Sequence, residues 1–225
     1  MKGSVSLLNL CDIQHNPEIE MLMVKVHEYL GTMGAITHDE EHALYVARLS
    51  VHILGTLGYP EREQQLAEIA GYLHDIGNVV NRHQHGLSGA LLAFDFLKRL
   101  GMPAEEIATV ISAIGNHEEN SGYAVSNEAA AVILADKSNV HRSRVRKEDA
   151  ATFSAHDRVN YAATTSFLQI DPDQREILMN LEIDSAIVSV FDYFEIFLSK
   201  MLLCRRAANF LQCRFGLVIN GSHFL

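Results

Sequence analysis

Through the first two thirds of the chain, apolar residues recur at helical spacing. Ile19, Leu22, Val26 and Tyr29 mark one face of a helix over residues 18–30. Thr37-x-x-Glu40 has the form of a capping box and predicts a helix from there to about residue 57. Gly58 ends it, and Pro60 sits where the next helix opens, to run to about residue 77. A polar loop over residues 78–84 follows. Two more helices are expected at about 87–100 and 104–117, with Gly101 and Pro103 as breakers between them. Ser126 can cap a last helix reaching about residue 139.

The pattern changes near residue 150. Residues 165–170 and 177–183 read as two strands joined by the turn Asp171-Pro172-Asp173-Gln174. A long amphipathic helix follows, with Ile187, Val190, Phe191, Phe194, Leu198 and Met201 on one face, and residues 214–220 form a final short strand. The expected fold is mainly α. A helical bundle occupies residues 1–150, and a small α+β appendage over 151–225 has short antiparallel strands and one long helix.

Several polar residues fall on the apolar faces of these helices. His42 shares a face with Val46, Leu49 and Ile53, whereas His52 lies outward with Glu41 and Arg48. His74 continues the stripe of Leu66 and Ala70, His117 ends that of Ile107, Val110 and Ile114, and Asp136 extends that of Ala129, Val132 and Ile133. An ionised carboxylate buried without a partner costs several kcal/mol or more, and buried imidazoles need partners for both ring nitrogens. One lone inward histidine is ordinarily a hydrogen-bonded core group. Four such residues from separate helices, with His74 and Asp75 adjacent, call for a shared partner, and a divalent metal satisfies them together.

Composition narrows the partners. The chain has 225 residues, 48% apolar and 20% charged, which is a globular balance. A net charge of -10 disfavours nucleic acid but leaves a small anionic substrate open, since bound metals would invert the local potential. Cys11, Cys204 and Cys213 show neither disulfide nor metal spacing, no secretion signal is evident, and no apolar run approaches a membrane span. The expected setting is the cytoplasm.

His42, then Tyr72-Leu73-His74-Asp75-Ile76-Gly77, then Leu134-Ala135-Asp136-Lys137 resembles the His…His-Asp…Asp signature of the HD superfamily of metal-dependent phosphohydrolases. The resemblance spans roughly residues 38–140. It implies an HD-type helical bundle in which His42, His74, Asp75 and Asp136 bind one divalent metal. Many members add two histidines and a second metal. His85, in His85-Gly86-Leu87-Ser88-Gly89-Ala90, and His117, in Asn116-His117-Glu118, match those positions, with His83 a rival to His85. Asp75 would then bridge two ions, drawn from iron, manganese, zinc or magnesium. Where cyclic-dinucleotide phosphodiesterases of this superfamily carry His-His-Glu and Gly-Tyr-Pro, this chain has Asn116-His117-Glu118 and Gly122-Tyr123-Ala124. That partial match points instead toward hydrolysis of dinucleoside tetraphosphates or other nucleotides.

In such a site a metal-activated water would attack phosphorus, with Asp75 central and His83, Glu118 and Lys137 the candidates for proton transfer. Arg142, Arg144 and Arg146 would share one side of an extended segment and could hold a substrate with more than one phosphate, against the plainer reading of a solvated basic loop. His15, His27, His52, His156 and His223 read as surface residues, and Phe191, Phe194 and Phe197 as core or as a homodimer contact. The competing functions are an HD sensor that binds metal or nucleotide without turnover, and a purely structural helical protein. The partner expected is a small phosphorylated molecule, with no nucleic acid and no membrane.

Overall fold

Most helices begin and end where the apolar spacing and breakers place them, and the exceptions shape the site. The computed structural model describes residues 7–224; residues 1–6, where the stretch weighed as a secretion signal begins, and residue 225 lie outside the described residues. A short α1 (Leu10–Gln14) leads into α2 (Pro17–Thr32), α3 (Glu40–Thr56), α4 (Glu61–Leu73), α5 (His85–Arg99), α6 (Ala104–Gly115) and α7 (Asn127–Ser138). Ser126 caps α7, its side chain accepting from the Ala129 amide at 3.1 Å. Ala129–Ala135 is wholly buried, so α7 is an apolar rod through the middle of the bundle, contacted by α3, α4 and α6.

Two helix ends differ from the expectation. Thr37 does not cap α3. Asp39 does, accepting from the His42 amide at 3.0 Å, while the Thr37 amide donates to the Arg144 carbonyl at 2.8 Å. Residues 35–38 therefore stay outside the helix and lie across its start. Helix α4 stops at Leu73, not near residue 77, and a 3-10 turn covers Ile76–Val79. The reason is close approach: a Cβ on Gly77 would run into the His85 carbonyl oxygen and the Gly89 amide at the start of α5.

The carboxy-terminal part consists of α8 (Ala155–Ala162), β1 (Ala163–Asp171), β2 (Glu176–Ile183), α9 (Val190–Phe210), β3 (Arg214–Ile219) and β4 (Ser222–His223). The sheet order is β1-β2-β3-β4. It is mixed rather than antiparallel throughout: β2 and β3 run parallel because α9 is a crossover that returns the chain to the same end of the sheet. The buried face of α9 also differs from the one expected. Tyr193, Phe197, Met201, Cys204 and Ala208 are buried, while Phe191 is 78% and Leu198 50% exposed. More than half of the α9 circumference is apolar, so periodicity alone does not choose the side; packing of α9 on α7 does.

Candidate metal centre

Five of the bundle's helices end, begin or turn at one place. His42 lies in the first turn of α3, and His74 is the residue that closes α4, with Asp75 next to it. His85 opens α5, reached through Gln84 in a left-handed conformation (φ 56°). His117 follows α6 by two residues, and Asp136 sits in the last turn of α7. The structure brings all six of these residues together.

The cluster is organised around Asp75. Its Oδ2 lies 3.2 Å from His74 Nε2 and 3.6 Å from His42 Nε2, whereas Oδ1 lies 3.2 Å from His85 Nε2 and 4.0 Å from His117 Nε2. Asp136 Oδ1 stands 3.4 Å from His42 Nε2 and 3.7 Å from His74 Nε2. His85 and His117 bring their Nε2 atoms within 3.0 Å of each other. Donors about 2.1 Å from one zinc-like ion stand about 3.4 Å apart in a tetrahedral shell. The spacing fits a divalent ion among them. His42 with His74 and Asp136, and His74 with Asp75 and His117, each bring their ligand atoms within 4.8 Å of one another.

The chain has prepared these atoms for a cation. His74, His85 and His117 each place Nδ1 against a carbonyl three residues upstream: Gly71 at 2.7 Å, Arg82 at 3.0 Å and Ile114 at 2.7 Å. Each Nδ1–H donates there, so Nε2 is the ring atom turned toward the cluster, offering a lone pair whenever the ring is neutral. Asn139 Nδ2 lies 3.1 Å from His42 Nδ1; ligation through His42 Nε2 requires a proton on Nδ1, and hence that this amide turn over to present its oxygen. Asn78 donates from Nδ2 to Asp75 Oδ1 and to the Asp75 carbonyl, both at 2.9 Å, fixing the central carboxylate. His42 Nε2, His74 Nε2 and Asp75 Oδ2 are buried with no hydrogen-bond partner among the described residues. A metal is the group that would relieve all three at once.

The electrostatics agree. Burial pushes His42 down to about 4 and His117 down to about 3, so both rings are neutral at ordinary pH, the form that can ligate a metal. Burial pushes His74 the same way, but Asp75 and Asp136 outweigh it and raise His74 to about 10. Both carboxyls lie well below the usual range despite burial, Asp75 through His74 and Asp136 through Lys137. Two buried anions thus draw a positive charge onto His74, the place where a cation belongs.

The remaining residues singled out from the sequence are placed as follows. Lys137 Nζ bonds Asp136 Oδ2 at 2.6 Å and Glu119 Oε1 at 3.0 Å; these anions raise its pKa above the lysine value despite burial. Glu118 accepts from the Gly86 amide at 2.7 Å and so braces the start of α5 beneath His85. His83 is exposed and, among the described residues, makes no hydrogen bond or ion pair with the six. The arginine segment is not extended: Arg142–Arg144 form a 3-10 turn, and the three guanidinium groups diverge. Arg142 lies over Tyr161, Arg146 donates to the His27 carbonyl, and Arg144 donates to the carbonyls of Thr37 and Asn139. Arg144 alone of the three also lines the cavity beside the cluster.

Sequence reasoning passed over His38. It is buried, with Nδ1 on the Ile36 carbonyl at 2.9 Å and Nε2 3.7 Å from Asp75 Oδ2. Its spacing of four from His42 was the available signal. Also passed over were Arg82 and Lys200, which line the same cavity with His38. Arg82 donates only to the Asn78 amide oxygen, and Lys200 makes no hydrogen bond or ion pair among the described residues.

Residues 40–141 match the family model for the HD domain. Over that segment the chain is similar to an HD domain. No curated protein matches the chain. Among solved structures it is similar to a predicted HD superfamily hydrolase from an uncultured Thermotogales bacterium, at 24% identity and a TM-score of 0.44, over 60% of this chain and 75% of that one. HD domains bind divalent metals and belong to a superfamily of metal-dependent hydrolases, and all six clustered residues lie within the matched segment. Among the described residues, no helix is long and apolar enough to cross a membrane.

Proposed function

We propose that the protein is a phosphohydrolase that uses two divalent ions to cleave a phosphoester or phosphoanhydride of a small phosphorylated molecule. The observation that carries this reading is the division of Asp75, with one oxygen toward His42 and His74 and the other toward His85 and His117. A carboxylate so divided suits two cation positions that share it. His42, His74, Asp75 and Asp136 would hold one ion, and Asp75, His85 and His117 the other. This imidazole-rich set favours iron, manganese or zinc over magnesium. Bound there, the metals supply Lewis acidity toward phosphoryl oxygens and toward water.

The protein's own groups position and compensate. Lys137, held cationic by Asp136 and Glu119, offsets their charge and is a poor proton donor. Asn78 keeps Asp75 in its divided orientation. Arg82 and Lys200, at the cavity wall, draw the anionic substrate toward the cluster. The cavity of about 310 Å³ has Asp75, His85 and Asp136 in its lining, room for a small metabolite.

Turnover of p-nitrophenyl phosphate by the manganese-loaded protein tests the reading, with bound metal measured by mass spectrometry. Asp75→Ala should lose metal and reduce turnover on the order of 10³-fold, the scale of removing a transition-state charge stabiliser. A variant that keeps both metal and turnover would reject the proposal.

A further inference from the structure

The cavity beside the cluster has two unlike ends. Its inner end holds Asp75, His85 and Asp136, flanked by Arg82 and Lys200. Its outer wall is the start of α8, where Ser154, His156, Asp157 and Asn160 face in. We infer that this cavity takes a hydroxyl-rich phosphate ester, a sugar or polyol phosphate, in preference to a nucleotide. The inference rests on the phosphohydrolase reading and narrows its substrate.

What the wall lacks is the first ground. Among the described residues, no Phe, Tyr, Leu, Val or Met lines the cavity, and the apolar residues in its lining are Ala35 and Ile36 beside Gly34. A nucleobase is ordinarily held by an aromatic face or an apolar slot. The one ring on the outer wall, His156, is already packed edge-on against Phe197, with centroids 5.9 Å apart.

What the wall offers is the second. Asn160 is 1% exposed, and its Nδ2 donates to the His156 carbonyl at 2.8 Å, which fixes the amide orientation. Its Oδ1 is left buried with no partner among the described residues. A buried acceptor in that state is unfavourable until a donor reaches it. Asp157 accepts from the Ser154 amide, the Ser154 hydroxyl and Lys147 Nζ, all on Oδ2, so Oδ1 has no partner among the described residues. Two acceptor oxygens three residues apart on one helix call for donors, and substrate hydroxyls are donors. A second phosphate would present only acceptor oxygens to them, so the outer end suits the polyol and the inner end the phosphate. In the reaction, water gives its hydroxyl to phosphorus and a proton to the departing ester oxygen, releasing inorganic phosphate and the free polyol.

The test ranks kcat/KM of the manganese-loaded wild-type protein for ribose 5-phosphate and sorbitol 6-phosphate against AMP and UMP, with p-nitrophenyl phosphate as reference. The sugar and polyol phosphates should lead by about tenfold or more, the scale set by leaving or filling a built hydrogen-bonding site. Asn160→Leu should raise KM for sorbitol 6-phosphate about tenfold and narrow its lead over AMP. A lead for AMP or UMP, or equal KM changes for both substrate types in Asn160→Leu, overturns the inference and leaves the hydrolase reading standing. No turnover of any ester, p-nitrophenyl phosphate included, sinks both.

Discussion

In the cluster that meets the cavity through Asp75, His85 and Asp136, the rings of His74, His85 and His117 each tie Nδ1 to a carbonyl three residues upstream, and Asn78 pins Asp75; this is the cavity's floor. On the wall, Asn160 Oδ1 is buried with no partner among the described residues, and the half-buried Lys200 makes no hydrogen bond or ion pair among them. The floor is built from the ends of HD-domain helices, while the wall comes from α8 and α9, beyond residue 141. Floor atoms are committed before any ligand arrives, which suits a resident cation with fixed geometry. Wall atoms await a visitor. The same physical fact, a buried polar atom without a bond, thus has two meanings, and the supporting hydrogen bonds tell them apart.

Commitment of the floor is tested by removing a support without touching a ligand. Asn78 is buried beneath Asp75 and contacts no other member of the cluster by hydrogen bond. Asn78→Ala should weaken metal binding by about 10–100-fold, measured by competition with a chromogenic chelator. If affinity is unchanged, Asp75 is oriented by the metals themselves and the contrast with the wall weakens.

A proton stands in for the cation in the metal-free protein. Burial disfavours the charged form of His74, yet Asp75 and Asp136 hold its pKa near 10, against about 6.5 in an unfolded chain. The stability this contributes is fully present below about pH 6.5 and is lost as pH rises through about 10. Metal binding must displace that proton, so affinity should rise by up to about tenfold per pH unit between pH 7 and 9. Calorimetry in buffers of different ionisation enthalpy reads the released proton. An affinity flat with pH across that window would mean His74 is already neutral.

These contrasts explain what the sequence could disclose. His42, His74, His117 and Asp136 stood out because each interrupts an apolar stripe on a helix, a signal carried by local spacing alone. His85 and the pairing of Asp75 were reached through the family signature. His38 was hidden by a plausible capping box that placed helix where Asp39 in fact starts it. Asn160 and Lys200 were invisible for a different reason: the packing of α9 on α7 and the place of α8 depend on tertiary contacts. The same holds for the parallel pairing of β2 with β3, which no strand pattern specifies. The arginine segment misled because alternation implies a shared side only if the backbone is extended, and there it turns.

The smallest expected effect is the most discriminating for the wall. Lys200 lies 4.1 Å over the Phe197 ring, and burial pushes its pKa down to about 8 although Glu119 works against that. Glu119 does not depend on it, being bonded to Lys137 at 3.0 Å. As a structural residue, then, Lys200 contributes little: it is half-buried, and beyond the Phe197 ring its charge has no ion-pair partner among the described residues. Methionine keeps the length and the apolar contact with Phe197 and removes the charge. Lys200→Met should therefore leave the melting temperature unchanged or higher. If the ammonium serves the anionic substrate, the same variant should raise KM about fivefold, the upper scale for one solvent-screened charge pair, with kcat within about twofold. The wild-type KM should also climb more steeply with salt than that of the variant. A lower melting temperature with KM unmoved would reverse the assignment and make Lys200 part of the scaffold.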